Sequence, residues 1–179
     1  VNILGQIFEQ SISDLEELKE EKVSRRKKDG VYYTPEYITD YICRNTIIPY
    51  LSKSGTNSIQ TLIYEYENNI EELEKKFREI KILDPACGSG AFLIKAVDIL
   101  LEIHKEILRQ KIRNNPEKYS DNDQTKMDKW NEESEAKKII ENNIYGVDIN
   151  PESAGVTKLA LFLKIASRGK KLIELTNNI

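Results

Sequence analysis

A glycine-containing turn between a strand-like and a helix-like segment is the first place in this sequence where chemistry could occur. The run Ile80–Leu83 is apolar and stops at Asp84-Pro85, and Gly88-Ser89-Gly90 follows before a long segment of helical periodicity. Small residues let the backbone approach a ligand closely, and a helix N-terminus offers unpaired N–H groups. The pattern predicts a site for a nucleotide-like ligand, although a Gly-x-Gly alone is also typical of an ordinary strand-to-helix turn.

A second candidate lies at the end of a later strand-like run, where Tyr145-Gly146-Val147-Asp148-Ile149 places an acid after apolar residues. Such an acid can accept hydrogen bonds from both hydroxyls of a ribose, although an Asp in a turn before a helix is also common. The dinucleotide fingerprint is incomplete, because Leu93 stands where its third glycine would be. No Gly-Lys-Ser/Thr is present either, which excludes a phosphate-binding P-loop.

The other reactive side chains predict packing rather than catalysis. Cys87 lies near a predicted helix N-terminus, which can lower the pKa of a thiol, but no histidine is near it in sequence. His104 is the only histidine and lies within a predicted helix, so a surface or core position is expected. The acidic residues form no metal-spaced cluster, so we predict no metal site, and we find no convincing signature of a nuclease.

Helices must position these residues. Apolar residues at three- and four-residue steps predict helices, and Thr34-Pro35-Glu36 offers a cap, a first-position proline and an acid for a helix that Pro49 ends or kinks. Asn150-Pro151-Glu152 repeats this pattern before the last helix. The predicted elements are helices over 2–28, from Thr34, over 62–78, after Gly90, over 128–142 and over about 150–167, and strands Ile80–Leu83 and Ile144–Ile149.

Composition limits the class of protein. The 179 residues suffice for one domain, and 39% hydrophobic residues can build a core. With 27 basic and 30 acidic residues the net charge is −3, which lacks the basic footprint of a free-standing nucleic-acid binder. No membrane span or signal peptide is predicted, and two cysteines indicate a reducing cytoplasm. The first residue is Val and the last is Ile179, so we expect a piece of a longer protein.

Three segments resemble the motifs of S-adenosylmethionine-dependent N6-adenine DNA methyltransferases. Asp84–Leu93 resembles motif I, Gly146–Pro151 resembles motif II, and Tyr33-Thr34-Pro35 resembles motif X, which comes first in this circularly ordered subgroup. The resemblance covers roughly residues 30–169 and extends to large bifunctional restriction-modification enzymes. It implies an α/β fold: a partial Rossmann-like class I methyltransferase fold, helix-rich, with a truncated parallel sheet.

The resemblance also implies S-adenosylmethionine as the cofactor and a set of site residues. Thr34 matches the residue that helps to hold the methionine end, Asp84 matches the acid near the ammonium, and Asp148 matches the ribose acid. Ile149 would pack on the adenine, and Phe92 would help to close the pocket. The glycines would let the backbone approach, and the preceding tyrosine could face a cation, although packing is expected of it. The implied cofactor-binding residues are Tyr33, Thr34, Asp84, Pro85, Ala86, Gly88, Gly90, Phe92, Asp148 and Ile149.

The spacing of the motifs departs from the simple pattern. Asp148 lies 64 residues after Asp84, whereas a simple βαβ unit places its acid about 20 residues after the glycines. We interpret the extra length as a helical insertion at about 105–142, with Trp130 docking it onto the body. The expected organisation is an N-terminal helix at 1–30 and a partial cofactor-binding domain at 31–179.

The catalytic motif of the family, Asn/Asp/Ser-Pro-Pro-Tyr/Phe/Trp, is absent, because no Pro-Pro occurs in the sequence. In the family this motif binds the target amine and stacks on the flipped base. We therefore expect an inactive cofactor-binding part, whose parent acts on double-stranded DNA with further methyltransferase and target-recognition domains. The alternatives are a methyltransferase of RNA bases or protein glutamine, which shares these motifs, and a non-catalytic cofactor-sensing or scaffold module.

The family's strand order, 3-2-1-4-5, makes the strand at Ile80–Leu83 central. Its fourth-strand neighbour is not in the sequence, and Leu172–Leu175 is a doubtful third strand. An apolar strand edge without a partner favours pairing with another chain. The sequence therefore predicts self-association or marginal stability, unless the N-terminal helices cover the edge.

Overall fold

A computed structural model of the protein describes residues 34–117, 130–165 and 178–179, together with Ile7 and Ser11. These two early positions are helical, and the rest of the predicted N-terminal helix lies outside the described residues, as does Leu172–Leu175. The described elements are α1 (Glu36–Leu51), α2 (Ile59–Glu65), α3 (Ile70–Glu79), β1 (Ile82–Asp84), α4 (Ala91–Asn114), α5 (Glu132–Asn143), β2 (Ile144–Gly146) and α6 (Pro151–Ile165).

Helix α1 begins one residue later than the sequence pattern predicted. Pro35 takes the cap position with a ψ of 146°, outside the helix, and its carbonyl accepts the N–H groups of Ile38 and Thr39 at 3.0 and 3.2 Å. Thr34 therefore lies one position too early to cap α1, and the prediction that it does so was wrong. Pro49 lies inside the last turn, and the helix ends at Leu51.

The single helix predicted over 62–78 is two helices, α2 and α3, joined by a turn. The turn holds Tyr66 in the core, where its hydroxyl donates to the carbonyl of Leu51 at 2.9 Å. Lys76 donates in turn to the Tyr66 hydroxyl at 2.7 Å. Because an aromatic ring with a satisfied hydroxyl is stable in the interior, burial of Tyr66 outweighs continuation of the helix.

Helix α4 is the centre of the molecule, and α1, α3, α5 and α6 all pack against it. Asn143, at the end of α5, is buried and donates to the carbonyl of Ile80 at 2.7 Å, which joins α5 to the segment before β1. The buried residues of α4 are Leu93, Ile94, Ala96, Val97, Ile99, Leu100, Leu101, Ile103, His104 and Ile107.

Trp130 docks the start of the second described stretch onto this core, as predicted. It packs partly buried, with its ring edge-on to His104 at a centroid distance of 5.2 Å. His104 also stacks on Phe77 at 4.8 Å, and burial lowers the pKa of this histidine. His104 is therefore a core residue.

The sheet has two described strands, which pair in parallel with Ile82 opposite Ile144 and Asp84 opposite Gly146. Both strands are shorter than predicted, at three residues each. Helix α4 covers the face that carries Ile82 and Ile144, whereas Leu83 on the opposite face is 61% exposed. The structure confirms a helix-rich α/β class with a small parallel sheet.

The edge of β2 that does not pair with β1 is occupied by Asn178. Its carbonyl accepts the N–H of Gly146 at 2.8 Å, and its side-chain amide donates to the carbonyl of Ile144 at 2.8 Å. Asn178 thus lies where a third strand would run. Among the residues that the structure describes, no helix combines the length and apolar character that a membrane crossing requires.

Candidate cofactor-binding site

The glycine turn begins directly after β1 and is fixed by backbone hydrogen bonds to the segment after β2. The N–H of Val147 donates to the carbonyl of Asp84, and the N–H of Cys87 donates to the carbonyl of Val147, both at 2.9 Å. The turn ends with a hydrogen bond from the N–H of Gly90 to the carbonyl of Cys87 at 2.8 Å, and α4 begins at the next residue. The predicted strand, turn and helix are therefore present.

Two glycines in the turn adopt the left-handed conformation that favours glycine. Gly88 has a φ of 54° and Gly90 a φ of 85°. A Cβ at Gly90 would lie 2.9 Å from the methyl of Thr157, whereas one at Gly88 would have no atom within 4 Å. Gly90 is thus required by both backbone conformation and close packing, and Gly88 by conformation alone.

Asp148 contacts the turn directly. One oxygen of its carboxylate accepts the N–H of Gly88 at 2.7 Å, and the other accepts the N–H of Asn150 at 2.8 Å. A carboxylate oxygen has two acceptor positions, so each oxygen can still accept one more hydrogen bond. The side chain of Asn150 accepts the N–H of Glu152 at 2.8 Å and caps α6, as predicted.

Asp84 lies at the same end of the sheet. It is half-buried, and one of its oxygens accepts the N–H of Ala86 at 3.1 Å. Burial raises the pKa of Asp84, and the negative charge of Asp148 raises it further, while the Ala86 hydrogen bond opposes both. A cationic ligand group here would reverse that destabilisation of the charged carboxylate.

An ion-pair cluster holds the start of α1 at the start of α4. Lys95 contacts Glu36 at 2.7 Å and Asp40 at 3.7 Å. Burial would lower the pKa of Lys95, but these carboxylates raise it, so the ammonium stays charged. Because Thr34 precedes Glu36 by two residues, the cluster brings the predicted motif X segment to the glycine-turn end of α4; the sequence pattern did not reveal Lys95.

The remaining predicted site residues differ in exposure. Ile149 is 92% exposed, and Pro85 and Ala86 are exposed, whereas Phe92 packs partly buried against the core. Tyr33 lies outside the described residues. Burial raises the pKa of the Cys87 thiol, as expected of a packed rather than nucleophilic cysteine.

Thr157, in the middle of α6, is a site contact that sequence reasoning missed. It is 0% exposed, and its hydroxyl donates to the carbonyl of Gly88 at 2.7 Å. It shares the buried face of α6 with Ser153, Ala160 and Leu161, so the only signal in the sequence was a small polar residue at helical spacing from apolar ones. No motif pointed to it, because its partner is 69 residues away in the chain.

Asp84, the left-handed glycine turn and Asp148 thus lie together at the carboxyl ends of two neighbouring parallel strands, where open α/β sheets bind their ligands. Comparison with known proteins defines the class further: the family model for the DNA-methyltransferase domain of MmeI matches residues 55–175. The chain belongs to this family.

The relatives are large proteins. A putative type II restriction enzyme and methyltransferase of Methanocaldococcus jannaschii, RM.MjaORFECS2P, is 34% identical over 92% of this chain and 14% of its own length. The type II restriction enzyme and methyltransferase RM.Eco57I of Escherichia coli is 28% identical over 92% of this chain and 15% of its own length. The adenine-specific methyltransferase PglX of Lacticaseibacillus casei is 25% identical over 80% of this chain and 12% of its own length. The resemblance drawn from the motifs is therefore confirmed, and the chain spans about one seventh of these relatives.

Proposed function

We propose that this chain is the S-adenosylmethionine-binding part of an N6-adenine DNA methyltransferase of the restriction-modification type. The observation that carries the proposal is the convergence of Asp84, the Gly88–Gly90 turn and Asp148 at the carboxyl ends of β1 and β2. Parallel α/β sheets bind their ligands at that end. Some relatives are named as type II restriction enzymes and methyltransferases and others as adenine-specific methyltransferases, which supports the class of reaction.

The charges of the site suit the cofactor. In the proposal, Asp84 lies near the ammonium of the methionine end, and Asp148 accepts the two ribose hydroxyls with its remaining acceptor positions. The exposed side chain of Ile149 packs on the adenine ring. Thr34 lies at the methionine end, and the rim formed by residues 85–86 and Phe92 borders the pocket.

A Rossmann-like topology is the fold that best accommodates these observations. Helix α4 and helix α6 each follow a strand, and β2 lies between β1 and Asn178, which matches the order 3-2-1 of one half of such a sheet. We propose a cofactor domain over 31–179 with a helical insertion at about 105–142, and a separate N-terminal helix at 1–30.

The methyl acceptor site would lie outside these 179 residues, since the sequence contains no Pro-Pro for an adenine pocket. The chain would then bind cofactor without transferring its methyl group, and double-stranded DNA would be bound by the parent protein through further methyltransferase and target-recognition domains. The exposed Leu83 face supports an intramolecular or intermolecular partner on that side. Two free, buried cysteines are consistent with the cytoplasm as the location.

Calorimetric titration of the chain with S-adenosylmethionine and with its demethylated product tests the proposal. Asp148→Asn removes the charge and keeps one acceptor oxygen, which can still accept the N–H of Gly88, while the N–H of Asn150 loses its acceptor. Affinity should fall about ten- to a hundred-fold, since hydrogen bonds to charged groups contribute about 1.5–3 kcal/mol. Asp98→Asn is the matched control, because Asp98 lies on α4 and pairs with Lys164 rather than with the turn. Wild-type protein that binds neither compound contradicts the proposed function.

A further inference from the structure

We infer that Thr157 is a positioning residue of the cofactor site, which holds the glycine turn in its binding conformation from the side of α6. The inference rests on the proposed function and deepens it. The carrying observation is that the buried Thr157 hydroxyl donates to the carbonyl of Gly88 at 2.7 Å. No motif of the sequence includes this residue.

The peptide groups on both sides of Gly88 are held by different elements. Its N–H donates to the Asp148 carboxylate at 2.7 Å, and its carbonyl accepts from Thr157 at the same distance. Since each peptide group is planar and trans, a hydrogen bond to one atom of a group restrains the orientation of the whole group. Asp148 restrains the first group together with the Gly90 N–H, which donates to the Cys87 carbonyl, and Thr157 restrains the second.

Thr157 also contacts the turn on both sides of Gly88. Its hydroxyl lies 3.8 Å from the sulfur of Cys87, and its methyl lies 2.9 Å from the position that a Cβ at Gly90 would take. One side chain therefore lies close to the turn at Cys87, Gly88 and Gly90. The two parts of that side chain have separable effects: the hydroxyl orients a peptide plane, and the methyl fills space under Gly90.

This separation makes the inference specific. Thr157→Val keeps the shape of the side chain and removes the hydroxyl, while Thr157→Ser keeps the hydroxyl and removes the methyl. A purely structural role predicts that both variants change stability alone, whereas a positioning role predicts that only the loss of the hydroxyl weakens cofactor binding. Thr39→Val is the matched control, because Thr39 is also buried in a helix but donates to its own helix at the carbonyl of Glu36.

The experiment measures dissociation constants for S-adenosylmethionine and its demethylated product by calorimetry, and urea unfolding of the same variants. We expect Thr157→Val to weaken binding roughly tenfold, the effect of one hydrogen bond. Thr157→Ser should restore the affinity to within about twofold of wild type, even where its unfolding midpoint stays lowered. Thr39→Val should bind like wild type.

The outcomes separate the two hypotheses. Wild-type protein without affinity for either compound overturns the proposed function and this inference together. Wild-type binding with equal affinity in Thr157→Val, or equal weakening in the Val and Ser variants, overturns the positioning role and leaves the proposed function standing. Should Thr157→Val fail to fold, Thr157→Ala is compared with Thr157→Ser, because both lack the methyl and differ only in the hydroxyl. A roughly tenfold weaker affinity in the Ala variant than in the Ser variant supports the hydroxyl role, and equal affinity in the two overturns it.

Discussion

Three glycine-to-alanine substitutions measure how tightly the turn is packed. Gly88 and Gly90 both have positive φ, at 54° and 85°, but only Gly90 would place a Cβ against another side chain, 2.9 Å from the methyl and 3.0 Å from the hydroxyl of Thr157. Gly155 lies in α6, with no atom within 4 Å of its Cβ position. The series therefore separates backbone conformation from packing.

The expected changes in the free energy of unfolding follow from these contacts. Gly88→Ala should destabilise the chain by about 1–2 kcal/mol, the cost of a left-handed conformation for alanine. Gly90→Ala adds overpacking, typically about 1–3 kcal/mol, for a total of roughly 2–5 kcal/mol. Gly155→Ala should stabilise by about 0.5–1 kcal/mol, because alanine is the better helix residue.

Urea unfolding followed by far-UV circular dichroism gives these values for each variant. A double variant tests the packing contribution. Thr157→Ala removes the methyl and the hydroxyl and leaves only the Cβ of residue 157, 3.3 Å from the Cβ position at Gly90. In that background Gly90→Ala should destabilise by only about 1–2 kcal/mol, the conformational part. If Gly90→Ala and Gly88→Ala are equally destabilising in the wild-type background, the close contact with Thr157 is wrong.

The other predictions concern ionisable groups. Burial tends to raise the pKa of Glu65, but hydrogen bonds from Ser54, Lys53 and Ser52 outweigh it and lower that pKa. The charged Glu65 therefore stabilises the folded chain above the ordinary pKa of a glutamate, and this stabilisation is lost as pH falls through the pKa of Glu65 in the folded state. Glu65→Gln should lower the urea midpoint at pH 7 and lose this effect near pH 3; a difference independent of pH contradicts the assignment. The charge of Asp84 destabilises the folded chain, since burial and the charge of Asp148 raise the pKa of this carboxyl. Asp84→Asn should therefore raise the thermal midpoint of the cofactor-free chain at pH 7, change it little at pH 3, and weaken cofactor binding. An unchanged thermal midpoint at pH 7 refutes this argument. Burial and the charge of Asp40 raise the pKa of Cys43 to about 11, and burial also raises the pKa of Cys87. Neither thiol should therefore react with a chromogenic disulfide reagent at pH 8 until the protein is denatured. Rapid reaction of either thiol in the native protein would contradict its burial.

Local features of the fold could be predicted from the sequence because their signals are local. The apolar run before Asp84, the glycines after it and the Asn150 cap each concern neighbours within a few residues, and all three appear in the structure as expected. The start of α1 was misplaced by one residue, since the choice between Thr34 and Pro35 as the cap depends on a backbone angle that composition does not fix.

Features that depend on tertiary contacts could not be predicted in the same way. The break between α2 and α3 follows from a hydrogen bond between Tyr66 and Leu51, and periodicity alone favoured one continuous helix. Lys95 and Thr157 were missed because their partners belong to other elements, brought close only when α1 and α6 pack on α4. The glycine turn and the Asn150 cap were thus predictable from the sequence, whereas the contacts of Lys95 and Thr157 with other elements were not.

The tie between Gly88 and Thr157 has a consequence for synthesis of the protein on the ribosome. The turn is complete as soon as residue 90 is made, yet the hydroxyl that fixes it arrives 69 residues after Gly88. At a translation rate of about 5–20 residues per second, the nascent chain waits roughly 3–14 s for it. For most of that interval β1 and α4 have neither β2, which is complete only at residue 146, nor α6 to pack against. The turn therefore acquires its contacts with β2, Asp148 and Thr157 in one late stretch of synthesis rather than progressively.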